Sequence, residues 1–445
     1  VAVPQPLSLA LVCIHLGGKM NKNRILIFLS LLLMLAVIPL AVAEGGEWPR
    51  ILVDGLGTEV TINAPPQKIL SVSLGTDEVL LPLIGPERFV AVTAFASDPG
   101  ISNVTLAAAQ VPNTIQAAAD VERIISLEPD IVFVASFTAP EVIQQLRDAG
   151  LTVFATGFPV GLQQIRDNIR LLGQAVGAED AAEVMIADMD GELTEVSAAI
   201  GSPATPVSAL YLTPGNYTSG IDSTISEVIA AAGGIDVAGN VTQFAPVTDE
   251  FIIEQDPDVI LLSGWTPWDP TFVDTFKNNP AFAGLSAVTN NRVYVASDAH
   301  LTTVSQFIVE GVKDVAAYLY PELYPSFPVT VRDAVGNEIT IESLPTVIYS
   351  TGLVSNALLE EFVSATGSGL PVLPIEDGTK ITPSDTAIVF TNDTQTTLPG
   401  TVILYDGDSP AEIVANIKII SQVLGARVTA LNWIAQYAGE LTAGQ

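Results

Sequence analysis

Cysteine, histidine and positive charge are scarce in this chain of 445 residues. The only cysteine is Cys13, and of the 2 histidines only His300 lies beyond residue 43. A disulfide framework and a cysteine metal centre are thereby excluded past the N-terminal leader. One histidine leaves only oxygen-rich metal sites, and no EF-hand-like spacing is present, so no metal ligand is expected. Lys and Arg total 17 against 49 Asp and Glu, a formal net charge of −32. Nucleic acid is excluded as a partner, because phosphate binding needs basic patches. Aromatics make up 7% of the chain, which together with abundant small apolar residues suits packed α/β layers better than an all-β sandwich. There is neither a G-x-S-x-G elbow nor a phosphate loop, and carboxylates such as Asp98 and Asp298 are not paired at a diagnostic spacing. No catalytic residue and no cofactor are therefore expected, and an enzyme is the weaker reading.

What is present begins with a leader. Asn21-Lys22-Asn23-Arg24, then ILIFLSLLLMLAVIPLAVA ending in Ala41-Val42-Ala43, has the layout of a secretory signal over 20–43: basic start, apolar run, A-x-A site. It places the protein in the periplasm or on the outer face of the cytoplasmic membrane. The alternative is an uncleaved anchor, since the run is nearly long enough to span a bilayer. Met20 reads as a natural start, so residues 1–19 read as an upstream extension. No lipobox cysteine is found, so a lipid anchor is not expected.

From residue 48 onward strands alternate with short helices, which predicts parallel sheet covered on both faces. ILVDGLGTEVTI reads as a hairpin, KILSVS as a buried strand, and TDEVLLPLIG as a helix capped by Thr76 with its acids in the first turn. A helix over 121–128, a strand over 131–135, a helix over 139–149 and a strand over 151–155 complete a lobe at 48–160. Residues 161–203 carry only helical patterns, and the part from Glu179 predicts a rod of roughly 30 Å at 1.5 Å per residue. Alternation resumes over 204–326, where DPTFVDTFKNNPAF reads as one helix. The segment 327–445 repeats the first lobe in shortened form: VTVRDAVGNEITIESLPTVIYSTG mirrors ILVDGLGTEVTINAPPQKILSVSLG. It lacks the equivalent of about 86–128.

One junction occurs twice. ERIISLEPD starts at Glu122 and EFIIEQDPD at Glu250, 128 residues later, each followed by an apolar strand. With YTSGIDSTISEVIAAAGG and NNPAFAGLSAVTNNRVYVAS, these segments resemble the solute-binding proteins of ATP-binding-cassette importers for cobalamin, ferric siderophores and haem, over about residues 50–326. The resemblance implies two Rossmann-like lobes joined by one long helix, with a ligand held between them. It implies as partners an ATP-binding-cassette permease and its ATPase, with Glu122 and Glu250 at the positions that meet permease arginines. A carboxylate in the first turn of a helix is also favoured by the local dipole. Each exposed ion pair contributes only ~0.2–1 kcal/mol, so two acids at fixed separation set orientation and encounter rate more than affinity. The alternative is a pair of ordinary helix N-terminal acids.

Loops at the carboxyl ends of the strands should face the cleft. They span 73–78, 93–100, 113–120, 136–140, 213–220, 241–249, 263–270 and 298–303, and none contains Lys or Arg. An anionic ferric catecholate would need cationic partners. The loops offer Phe95, Phe137, Tyr217, Phe244, Trp265, Trp268 and His300 instead, a set suited to a large, flat, weakly charged ligand. Phe95, Tyr217 and Phe244 match aromatic cleft positions of the cobalamin-binding members, whereas Ala299 and His300 stand where those members carry large aromatics. A corrinoid is the first expectation, a neutral ferric hydroxamate the second and haem the third. A free metal-ion receptor and a scavenger or sensor without a transporter are the readings from other classes.

Overall fold

The computed structural model describes residues 48–116, 118–203, 205–267, 269–321, 329–341, 347–350, 372–374, 387–391, 401–403 and 410–423. The expected extension (1–19), the secretory signal (20–43) and Trp268 lie outside them. No helix among the described residues is long and apolar enough to cross a membrane.

The first lobe opens with strands β1 (Arg50–Val53) and β2 (Glu59–Ile62), paired antiparallel with Arg50 opposite Ile62. Their turn is held by Asp54, whose Oδ1 accepts from the amides of Leu56 and Thr58, both at 2.9 Å, while Gly57 takes the left-handed φ of +78°. Then follow β3 (Ile69–Ser71), helix α1 (Leu74–Ile84), β4 (Phe89–Thr93), a short helix α2 (Thr105–Ala108), β5 (Thr114–Ile115), α3 (Val121–Ser126), β6 (Ile131–Ala135), α4 (Pro140–Asp148) and β7 (Val153–Thr156). The strands form one parallel sheet in the order β5-β4-β3-β6-β7. β6 is buried along its whole length, as a parallel strand covered on both faces must be.

Helix α5 (Leu162–Val176) ends on Gly177, whose φ of +73° closes the helix with a bond from its amide to Gly173 O, and the 22-residue α6 (Glu179–Ile200) follows. The second lobe contains β8 (Ser208–Leu212), β9 (Tyr217–Ser219), α7 (Thr224–Ala231), β10 (Ile235–Asp236), β11 (Phe244–Pro246), α8 (Asp249–Gln255), β12 (Val259–Ser263), α9 (Phe272–Lys277), β13 (Val293–Ala296), α10 (Asp298–Leu301) and α11 (Ile308–Leu319). Its parallel sheet runs β10-β8-β12-β13, and β9 pairs antiparallel with β11 outside it.

The chain adds a second hairpin of the β1–β2 kind and a third parallel sheet. Strands β14 (Val329–Arg332) and β15 (Glu338–Ile341) repeat the opening hairpin, with Asp333 accepting from the amides of Val335 and Asn337 and Gly336 at φ +88°. Then β16 (Val347–Ser350), β17 (Val372–Pro374), β18 (Ala387–Thr391) and β19 (Thr401–Ile403) pair in parallel in the order β17-β16-β18-β19. That order matches β4-β3-β6-β7 without the β5 edge, so a strand in the place of β4 is present and the shortfall is smaller than the sequence comparison implies. Helix α12 (Pro410–Val423) packs on β14 and on α2 of the first lobe.

Two local expectations are corrected. Helix α1 begins at Leu74, so Thr76 lies inside it and faces the Thr156 hydroxyl, and Asp77 and Glu78 are buried instead of solvated. The segment 269–282 is not one helix: Asn279 accepts from the Ala281 amide and, with Pro280, starts a separate 3-10 turn after α9.

Candidate functional site

The repeated Pro-Asp shows first why the junction is built twice. Asp130 Oδ2 accepts from the amides of Gln67 (2.8 Å) and Lys68 (2.9 Å), which lead into β3. Asp258 Oδ2 likewise accepts from the amide (2.9 Å) and hydroxyl (2.7 Å) of Ser208, where β8 starts. Each aspartate thus ties its own strand to the start of the neighbouring parallel strand. Two residues earlier, Glu128 (φ +49°) and Asp256 (φ +38°) make the same left-handed turn out of the helix.

Glu122 and Glu250 occupy the same place in α3 and α8, the second helical position. Each follows a cap, Asp120 accepting from Arg123 N and Thr248 accepting from Phe251 N. Both side chains are exposed. The Glu250 carboxyl is held below its ordinary pKa by its own amide and the Thr248 hydroxyl.

A cavity of about 860 Å³ is walled by strand-end segments of both lobes. Phe95, Phe137 and Phe158 line it from the first lobe, and Phe244 and Trp265 from the second. No Lys, Arg or His is among the described residues of its wall. The four phenylalanines are 48–75% exposed, and so much uncovered ring surface in one place makes this cavity the candidate site. The rings meet in pairs: Phe137 and Phe158 edge to face at 6.0 Å, Phe95 and Trp265 at 6.4 Å and 81°, Tyr217 and Phe244 stacked at 5.1 Å. Tyr217 is not itself on the wall; the β9–β11 pairing seats it against Phe244.

Two buried carboxylates organise the floor. Glu78 joins the lobes: its Oε1 accepts from the amide (2.8 Å) and side-chain Nδ2 (2.9 Å) of Asn103, and its Oε2 from the hydroxyls of Ser305 (2.9 Å) and Thr303. The Gln306 side chain donates to the Glu78 carbonyl, and Asn103 donates across to Ala299 O. Burial raises the Glu78 pKa against the pull of these donors. In the second lobe Asp298 accepts from Tyr211 OH (2.6 Å), Ser263 Oγ (3.0 Å) and the Trp265 amide (2.7 Å). Burial raises its pKa too, and pushes the Tyr211 phenol well above its usual range.

His300 is not on the cavity wall. It is buried, with Nδ1 2.6 Å from Asp314 Oδ2, and burial lowers its pKa. The segment read as a loop is the helical turn α10, in which residues two apart point in nearly opposite directions. Asp298 therefore faces the cavity and His300 faces α11. Among the expected ligand residues, Phe95, Phe137, Phe244 and Trp265 share the cavity, Tyr217 supports it, and Trp268 lies outside the described residues. Phe158 and Asn168 line the cavity beyond the expected set; Phe158 follows strand β7, at a strand end like the other wall loops.

The profile of the family described as "Periplasmic binding protein" matches residues 69–299. The uncharacterized ABC transporter substrate-binding lipoprotein YvrC of Bacillus subtilis is 25% identical over 285 residues, 62% of this chain and 87% of that protein. A cobalamin-binding protein of Halobacterium salinarum is 24% identical over 220 residues, 48% of this chain and 58% of that one. Among solved structures, the apo form of the periplasmic heme-binding protein RhuT from Roseiflexus sp. RS-1 has a TM-score of 0.52 at 24% identity, covering 58% of this chain and 99% of that one. The molybdate periplasmic binding protein MolA of Haemophilus influenzae has a TM-score of 0.54 at 19% identity, with 62% and 92% covered. These two likenesses concern the fold alone.

Proposed function

The chain belongs to the periplasmic binding protein family, and from that premise we propose that it captures a corrinoid outside the cytoplasm and delivers it to an ATP-binding-cassette importer. The observation that carries the ligand class is the cavity of about 860 Å³, ring-lined and without a cationic side chain on its described wall. A strongly anionic chelate placed there would lose hydration without gaining a charge partner. A bulky ligand of low charge gains from ring contact and loses little. The cobalamin-binding relative supports the corrinoid choice, while ferric hydroxamates and haem define the competing outcomes.

Glu122 and Glu250 fit the delivery step. They are exposed, sit at the same position of corresponding helices, and belong one to each lobe. A permease bearing two basic sites would engage both lobes at once, and the acids would orient the encounter.

The test is a thermal-shift screen of the purified protein with cyanocobalamin, a neutral ferric hydroxamate and haem. A ligand that binds only the folded chain raises its melting temperature by mass action, by an amount equivalent to about 2.7 kcal/mol at one hundred times its Kd. Stabilisation by cyanocobalamin above the other two is expected. Stabilisation only by haem or the hydroxamate would replace the corrinoid.

A further inference from the structure

One bond crosses between the lobes at the cavity wall and has no part in the floor network. The Trp265 indole Nε1 donates to Asp98 Oδ2 at 2.9 Å. The half-buried indole also meets the edge of Phe95 and lies over Gly100 so closely that a Cβ there would stand 2.7 Å from its Cδ1. Each partner is anchored in its own lobe. Asp98 Oδ1 accepts from the Gly100 amide (2.8 Å), and the Asp98 carbonyl accepts from the amides of Ile101 and Ser102. Trp265 is held by its amide on Asp298 (2.7 Å) and by its carbonyl on the Ser263 hydroxyl (3.2 Å). With both ends fixed, the Asp98–Trp265 bond cannot follow the lobes apart; it must break.

Resting on the reading of this cavity as a ligand cleft, we propose that Asp98 is a positioning residue that holds the Trp265 indole across the seam as a gate, and that opening of this gate limits ligand exchange. The chemistry is specific to the acceptor: an indole N–H donates only, and a carboxylate acceptor gives the stronger class of hydrogen bond. The notch at Gly100 adds shape, because only a residue without a side chain lets the ring settle there.

The test begins on the ligand-free protein, labelled with ¹⁵N at the tryptophan indoles and with Trp265 assigned through Trp265→Phe. Asp98→Ala is expected to shift the Trp265 indole N–H signal and speed its exchange with solvent, and Asp98→Asn, which keeps an acceptor oxygen, to restore both. Gly100→Ala, which leaves the carboxylate in place, is expected to displace the same signal by crowding the ring. With cyanocobalamin as probe, release is expected to quicken roughly ten-fold in Asp98→Ala, the effect of one net hydrogen bond, and to recover in Asp98→Asn. An indole signal unmoved by Asp98→Ala, an Asp98→Asn as disruptive as the alanine, or a moved signal with unchanged release would each overturn the gate. A wild-type protein that ignores cyanocobalamin would overturn the corrinoid reading instead, with the indole signals and a hydroxamate or haem probe still deciding the gate.

Discussion

Glu78→Ala is the substitution whose cost follows most directly from the structure. The Glu78 carboxylate accepts from Asn103 N, Asn103 Nδ2, Ser305 Oγ and Thr303 Oγ1, so one side chain satisfies four donors drawn from both lobes. Removing it leaves buried donors facing a void. A hydrogen bond to a charged group is worth about 1.5–3 kcal/mol and an orphaned buried donor costs about 1–3, but donors that share one acceptor are not additive. We expect Glu78→Ala to lower unfolding free energy by about 3–5 kcal/mol. Glu78→Gln keeps one acceptor oxygen for Asn103 and places an amide where the two hydroxyls can rotate to accept, so it should cost about 1–2 kcal/mol. Urea denaturation followed by circular dichroism measures both. A loss below about 1 kcal/mol in the alanine variant, or equal losses in the two, would refute the claim that this carboxylate joins the lobes.

Further expectations follow from other residues. Asp77 is fully buried, accepts from Thr93 N at 3.0 Å, and has its pKa raised well above the usual range by burial. The folded chain therefore holds this proton more tightly than the unfolded chain. Its contribution is present below the ordinary carboxylate pKa and is lost as pH rises through the raised value, at up to about 1.4 kcal/mol per pH unit. Asp77→Asn should flatten that decline in melting temperature, leaving the part due to Glu78, Asp236 and Asp298, which shift in the same direction; an unchanged slope would contradict it. Phe137→Ala and Phe244→Ala, which remove exposed cavity rings, should each weaken cyanocobalamin binding about ten-fold or more by calorimetry while leaving the fold intact. Asp258→Ala should cost about 1–2 kcal/mol through the lost bonds to Ser208, read by the same denaturation assay. The double change Glu122→Ala and Glu250→Ala should leave ligand affinity untouched and slow the encounter with the proposed permease, read as weakened stimulation of its ATPase at low protein concentration.

Much of this was legible because it is local. The alternation of strands and helices, the rod from Glu179 to Ile200 and the turn shared by Asp54 and Asp333 all depend on residues a few positions apart. The aromatic cavity is partly legible because strand ends announce themselves: Phe95, Phe137, Phe244 and Trp265 lie in strand-end loops, and for Phe95 and Phe244 the family resemblance points the same way. The rest depended on distant partners. Glu78 reads as a helix acid until Thr303, 225 residues away, is brought against it. His300 reads as a cleft residue until a helical turn aims it at Asp314. Tyr217 reads as a wall residue until the β9–β11 pairing stacks it behind Phe244. The Pro-Asp pairs read as a repeat, but the strand amides they hold lie 50 and 62 residues earlier.

The proposed cleft selects its ligand by ring contact and low charge. The most direct measurement of that selection is calorimetric titration of the purified protein with cyanocobalamin and, separately, with a ferric catecholate. Saturable one-to-one binding of the corrinoid, weakened by Phe244→Ala, and no binding of the catecholate are expected. Tight catecholate binding, or corrinoid binding indifferent to Phe244, would contradict it.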